Sequence, residues 1–228
     1  MAAMAKILNL ETATTNCSVS VSEGDATITL KENNAINYSH AEQLHIFIKE
    51  ALEKASLSFS ELDAVAVSKG PGSYTGLRIG VSAAKGLCFS LDLPLISVPT
   101  LESMARQVNA QEGELIIPVL DARRMEVYSG VYNKDYTEVR EVKADIIDEN
   151  AFAEYVASNK VHVIGSGAEK CQELLKHPNF IFDTSVVPSA KEMAVISHQK
   201  YQDRLFEDVA YFEPYYLKDF ILQGKKNN

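Results

Sequence analysis

Short alternating runs of apolar and polar residues open the chain. Ile7–Leu10, Cys17–Val21 and Ala26–Leu30 have the two-residue period and β-branched content of strands, and Glu23-Gly24-Asp25 supplies a turn between the second and third. The period then changes. Leu44, Ile48, Ala51, Leu52 and Ala55 recur at three- and four-residue spacing and predict a helix from Ser39 to Ala55. A buried strand, Ala64–Ser68, runs into the glycine-rich turn Gly70-Pro71-Gly72. A second helix follows from Thr75 to Ser90 and stops before Pro94, which cannot continue it. Leu95–Val98 reads as a strand, with a helix after Thr100.

The second half repeats the theme more loosely. Leu115–Leu120, Met125–Tyr132 and Thr137–Val142 read as strands, with Asn133-Lys134-Asp135 as a hairpin turn. Asp148 caps a short helix through Ala157, Val161–Ile164 is a strand, and Gly165-Ser166-Gly167 leads into a helix from Ala168 to Lys176. Ser189 and Glu192 form a capping box for a last helix ending near Leu205. Both halves therefore read β-β-β-α-β-α, an α/β class with mixed strand directions and two related lobes. The expected division is 1–104 for an N-terminal lobe and 105–228 for a C-terminal lobe, with the last helix free to fold back on the first.

Composition narrows the function. The 228 residues are 46% apolar, enough for a full core, and carry a net charge of −9 with a pI near 5.1. Gripping nucleic acid requires clustered Lys and Arg, so the chain alone is not expected to hold RNA. Cys17, Cys88 and Cys171 are odd in number and far apart, with no C-x-x-C, which suggests neither a disulfide framework nor a zinc site. No signal pattern and no membrane-length apolar run is present, so a cytoplasmic location is expected.

The segment Gly70-Pro-Gly-Ser-Tyr-Thr-Gly-Leu-Arg-Ile-Gly80 carries the most information. It fits neither the P-loop nor the G-x-G-x-x-G pattern, and Lys69 precedes the turn instead of following it. Gly72, Gly76, Gly80, Ala84 and Cys88 recur every fourth residue, so one helix face is nearly bald. That face fits either the chain's own sheet or a partner's backbone. Ile79, Leu87 and Phe89 form a separate stripe expected to serve the internal core, so one of the two faces could be left for a partner. His40 and His45 are five apart, about 140° around a helix, which is not the i, i+4 spacing of a metal pair. Glu11 and the hydroxyl-rich turn after it could hold a metal–phosphate group or satisfy their own amides. Asp121-Ala-Arg-Arg-Met-Glu-Val-Tyr128 could orient a ligand or tie the lobes. Lys225-Lys226 reads as a solvated tail.

Taken in order, Leu10-Glu-Thr-Ala-Thr14, Cys17-Ser-Val19, the glycine block 70–80, Asp121–Tyr128 and Glu213-Pro-Tyr-Tyr-Leu-Lys218 resemble the TsaB (YeaZ) family over the whole chain. The resemblance implies a two-lobed actin-like ATPase (ribonuclease H-like) fold, with mixed sheets flanked by helices. It implies a non-catalytic scaffold role in threonylcarbamoylation of adenosine 37 in tRNAs that read ANN codons. The implied partners are a TsaD-like catalytic subunit and a TsaE-like ATPase, with a homodimer when the chain is alone and tRNA met only through the complex. No catalytic residue, cofactor or metal is expected in the isolated chain. Glu11, Thr12 and Thr14 form a degenerate cofactor site, and ATP or ADP is expected only at a joint interface. Glu11 itself departs from the family's usual aspartate. The family's heterodimer is built from N-terminal-lobe helices, which suggests Leu44, Ile48, Gly76, Arg78, Gly80, Val81 and Ala84 as interface residues. The alternatives are a nucleotide-binding ATPase or transferase using Glu11 and the Gly165-Ser-Gly167 turn, and a glycoprotease-like peptidase, for which the sequence offers no nucleophile.

Overall fold

A computed structural model describes residues 4–34 and 40–218. The first sheet is built from β1 (Lys6–Glu11), β2 (Cys17–Glu23), β3 (Ala26–Asn33), β4 (Ala64–Gly70) and β5 (Leu95–Pro99), in the spatial order β3-β2-β1-β4-β5. Strands β1, β2 and β3 pair antiparallel, whereas β4 and β5 join in parallel. Parallel neighbours need a crossover. Helices α1 (His40–Ala55) and α2 (Tyr74–Leu91) provide those crossovers.

The second half contains α3 (Thr100–Ala105), β6 (Leu115–Asp121), β7 (Glu126–Tyr132), β8 (Glu138–Ile146), α4 (Ala153–Val156), β9 (Val161–Ile164), α5 (Ala168–Leu174), β10 (Phe180–Asp183) and α6 (Ala190–Gln202). Its sheet runs β10-β9-β6-β7-β8. Counted from the first strand of each half, both sheets have the order 3-2-1-4-5 with the same pattern of antiparallel and parallel pairs. This doubled topology is the actin-like fold, as the resemblance implied.

The structure adjusts several expected elements. Strand β10 is new: Phe180-Ile181-Phe182-Asp183 lies at the sheet edge, half-exposed, and is set by its parallel pairing with β9. The helix expected to run to Ala157 shrinks to the single turn Ala153–Val156. The last helix stops at Gln202 instead of Leu205. The start expected at Ser39 lies outside the described residues.

Each sheet carries a core. Leu44, Ile48, Ala51 and Leu52 of α1 and Val81, Ala84 and Cys88 of α2 cover one face of the first sheet. Val156, Ala168, Cys171 and Leu175 cover the second sheet. Although α6 comes late in the chain, Ala190, Met193 and Ile196 pack on the other face of the first sheet against Ile7, Ala66 and Ile96. Polar groups fix it there. Ser197 Oγ donates to Asn9 Oδ1 at 2.7 Å, and Ser20 Oγ donates to the Ala190 carbonyl at 2.7 Å. Glu32 Oε2 accepts from Ser18 and Ser189 hydroxyls at 3.0 and 2.8 Å, holding the helix start against the first hairpin.

Beyond α6 the chain returns as an extended strap. Glu207 N–H donates to the Leu95 carbonyl at 2.8 Å and Tyr215 N–H to the Lys69 carbonyl at 2.7 Å. Val209 and Phe212 lie against the first core. Lys85 Nζ donates to the Ala210 and Phe212 carbonyls, both at 3.0 Å. Farther on, Lys218 pairs with Glu126 of the second sheet, so the strap links the two lobes.

Candidate functional site

The β1–β2 loop and the start of α2 form the centre of the first lobe. Ser73 caps α2 by accepting the Gly76 N–H at 3.3 Å. Thr12 Oγ1 donates to the Gly76 carbonyl at 2.8 Å, and Ser73 N–H donates to the Ala13 carbonyl at 2.7 Å. These contacts leave no room for side chains. A Cβ added at Gly72 would sit 2.4 Å from the Ala13 carbonyl oxygen, one at Gly76 2.1 Å from the Thr12 carbonyl oxygen, and one at Gly80 2.3 Å from Thr12 Oγ1.

The bald stripe is therefore filled by the chain's own loop, which corrects its reading as a docking face. Gly76, Gly80, Val81 and Ala84 are buried within the lobe, as are Leu44 and Ile48 of α1. Of the expected interface residues only Arg78 is exposed. A four-residue repeat of small residues fixes one helix face but not what lies against it.

The loop spends its polar groups on itself. Ala13 N–H donates to Glu11 Oε1 at 2.6 Å, Thr12 N–H reaches Ser68 Oγ at 3.4 Å, and His40 Nε2 lies 2.6 Å from the Thr14 carbonyl. Glu11 is fully buried, and its Oε2 has no partner. Burial pushes its pKa up from 4.5 to about 7, against the lowering effect of the hydrogen bonds from Ala13, Ser68 and Thr12. The Gly165-Ser-Gly167 turn is also occupied by packing. A Cβ at Gly165 (φ +109°) would lie 2.5 Å from both Met104 Cε and the Val119 carbonyl oxygen.

The histidines do not converge. His162 Nε2 lies 2.9 Å from Glu114 Oε2, and His198 Nε2 lies 3.0 Å from Gln202 Nε2. Among the described residues no three His, Cys, Asp or Glu side chains could hold a metal together. Burial raises the thiols of Cys17 and Cys88 to about 11 and that of Cys171 to about 12, away from thiolate chemistry. Among the described residues no helix is long and apolar enough to cross a membrane.

The second stripe of α2, expected to serve the core, borders open space instead. On the opposite side of α2, Thr75, Arg78, Ile79, Ser82, Gly86 and Leu87 face Ala41 and His45 of α1 across an open groove of about 710 Å³. Elsewhere on the same two helices Phe89 is 86% exposed and Ile46 is 55% exposed. A Cβ at Gly86 would meet nothing within 4 Å. Ile79 and Leu87 pack partly on the first core as expected, whereas Phe89 is exposed, which corrects its assignment to the core.

Two outcomes are expected from this geometry. Gly76→Ala drives its Cβ into a backbone carbonyl and should destabilise the protein by about 3 kcal/mol, whereas Gly86→Ala should be neutral or stabilise it by up to about 1 kcal/mol. Urea unfolding of the two variants checks both signs, and equal stabilities would contradict the packing described. Glu11 sets a pH dependence. Between pH 4.5 and 7 the unfolded chain gives up this proton while the folded chain keeps it. Stability should therefore fall by about 3 kcal/mol as pH rises across that window. Glu11→Gln should flatten this slope in melting curves recorded across the window, and an unchanged slope would assign the dependence to another group.

Comparison with known proteins places this geometry. The family model for TsaD, tRNA N6-adenosine threonylcarbamoyltransferase, matches residues 34–224. The "tRNA threonylcarbamoyladenosine biosynthesis protein TsaB" of Escherichia coli is 29% identical over 96% of this chain and 97% of its own length. The TsaB protein of Buchnera aphidicola from Acyrthosiphon pisum is 31% identical over 68% of this chain and 70% of its own. The solved structure of YeaZ from Pseudomonas aeruginosa superposes with a TM-score of 0.80 at 25% identity, covering 94% of this chain and all of that one. The shared doubled sheets, the glycine-packed second helix and these matches over nearly the whole length mean that the chain belongs to the TsaB family of tRNA threonylcarbamoyladenosine biosynthesis proteins.

Proposed function

We propose that the chain serves tRNA threonylcarbamoyladenosine formation as a non-catalytic subunit, docking on a TsaD-like catalytic partner through the α1–α2 groove. Gly86 carries this reading. A glycine in a helix interior costs about 1 kcal/mol relative to alanine, and at Gly76 and Gly80 the chain's own tight packing offsets that cost. At Gly86 nothing in the chain does so. A close approach by a second surface explains the missing side chain. The groove beside it is lined by Ile79, Ala83 and Leu87, and the same two helices expose Phe89 and Ile46. Its rim carries Arg78 and His45, which suit polar contacts around an apolar centre.

The self-satisfied β1–β2 loop supports the non-catalytic part of the reading. A phosphate cradle needs free amides, and the Ala13 N–H here is taken by the carboxylate of Glu11. In this account ATP or ADP belongs to the joint interface, a TsaE-like ATPase joins the assembled pair, and tRNA is held by the complex as a whole. Without the partner, the same apolar groove would pair two copies of the chain.

Co-purification with the cognate TsaD-like protein tests the proposal. Gly86→Leu fills the groove without straining the fold, so it should keep or raise the melting temperature while weakening partner binding more than tenfold. It should also lower tRNA modification by the reconstituted complex. A well-folded Gly86→Leu protein that binds the catalytic subunit as tightly as wild type would remove the groove as the docking site. Hydrolysis of ATP or modification of tRNA by the chain alone would remove the non-catalytic role.

A further inference from the structure

The tight turn between β6 and β7 combines strain with unpaired charge. Arg123 and Arg124 are consecutive and both left-handed, with φ of +67° and +52°. Residues with a Cβ resist this conformation, and glycine or asparagine would adopt it with less strain. The turn is nevertheless firmly built. Arg123 N–H donates to Asp121 Oδ1 at 2.6 Å, and Ala122 N–H donates to the Glu126 carbonyl at 3.0 Å. Lys170 Nζ reaches in from α5 and donates to Asp121 Oδ1 at 2.8 Å, the Arg124 carbonyl at 2.7 Å and the Glu126 carbonyl at 3.2 Å.

The charge pattern follows from those contacts. The two acids flanking the arginines are each taken by a lysine from elsewhere, Asp121 by Lys170 and Glu126 by Lys218 of the strap. Among the described residues neither Arg123 nor Arg124 makes an ion pair, and both are exposed. Four cations and two carboxylates meet at one turn, so the spot is locally positive on a chain whose net charge is −9. Strain kept where a less strained residue would serve, together with guanidinium groups held clear of nearby acids, marks a site for an anion.

We propose that Arg123 and Arg124 contact the phosphate backbone of the RNA substrate, a deepening that rests on the tRNA-modifying role argued above. The ligand class follows from shape and charge. The guanidinium fork matches phosphate oxygens. The arginines project from the tip of a hairpin, where a polymer backbone can pass, whereas a free nucleotide needs a concave pocket to bury it. The overall negative charge keeps this contact too weak to act alone, so it works only on RNA already held by the complex. The strap connects it to the docking helix. Tyr216 packs against Tyr74 of α2 in a tilted arrangement with ring centroids 5.0 Å apart, and Lys218, two residues on, pairs with Glu126 beside the turn.

The test uses the reconstituted complex with its TsaD-like and TsaE-like subunits and a tRNA that reads an ANN codon. Anisotropy measures tRNA affinity between about 50 and 200 mM salt. The variant is Arg123→Asn/Arg124→Gly, which removes both charges and relieves the turn. Its melting temperature should stay equal or rise while tRNA affinity falls on the order of tenfold and the salt slope shrinks by about 1 to 2. Opposite signs for stability and binding separate a lost contact from a damaged fold. Unchanged affinity and slope, with wild type holding tRNA normally, overturn the inference and leave the functional reading standing. So does a complex that dissociates on substitution, which would make the turn a protein contact. Loss of magnesium–ADP binding with tRNA binding intact would likewise overturn it, in favour of a small nucleotide. A wild-type complex that holds no tRNA removes the functional reading and this inference together.

Discussion

The carbonyl of Thr12 pressed against the bare Cα of Gly76 is the contact on which the rest of the molecule depends. It brings α2 down onto the β1–β2 loop so closely that Thr12 Oγ1 can bond the Gly76 carbonyl and Ser73 N–H the Ala13 carbonyl. Two consequences follow. The loop is closed by protein where other arrangements would leave amides free, and the opposite side of α2 faces α1 across the open groove. The groove that faces solvent is the counterpart of the tight packing behind it. Glycines on the two faces of one helix thus do opposite things: Gly76 and Gly80 admit the chain's own backbone, and Gly86 leaves space open.

Much of the fold was legible in the sequence. Two-residue and 3.6-residue periods located nearly every element, and the like order of the two halves pointed to related lobes. What failed shared a cause. Strand β10 is an edge strand held by its pairing with β9, a long-range partner that local pattern does not reveal. The packing of the small-residue stripe was not foreseen because spacing defines a face without saying what lies opposite, and the opposing group, Thr12, is 64 residues away from Gly76. Phe89 was assigned to the core with Ile79 and Leu87, yet it is 86% exposed, and Gly86 was not singled out, because what lies beside a residue is a three-dimensional property. The same limit held for Asp121–Tyr128. Its charges were visible, but the lysines that take up its acids come from α5 and from the strap.

The strap gives these local features a common frame. It leaves α6, pairs along β5 at Leu95, meets β4 at Lys69, crosses the start of α2 at Tyr74 and ends on the second sheet at Glu126. A Cβ at Gly70 (φ +109°) would lie 2.7 Å from the Tyr215 carbonyl oxygen, so the end of β4 is shaped to admit this segment. Arg78 of the groove stacks over Tyr74, its centre 4.4 Å from the ring centroid. Groove, helix start, strap and the β6–β7 turn therefore form one continuous path of contacts across both lobes.

Charge and shape divide the work along that path. An apolar groove with a bare glycine binds by excluding water, a short-range effect that the overall charge of −9 does little to oppose. A pair of arginines at a turn acts through charge, and the acidic surface around it limits how strongly an isolated chain attracts RNA. Such a weak contact discriminates only once the ligand is held nearby, because tethering replaces free encounter with a high local concentration. In the proposed assembly, apolar docking would then precede the phosphate contact. This order follows from a single acidic chain carrying one water-excluding face and one isolated cationic turn.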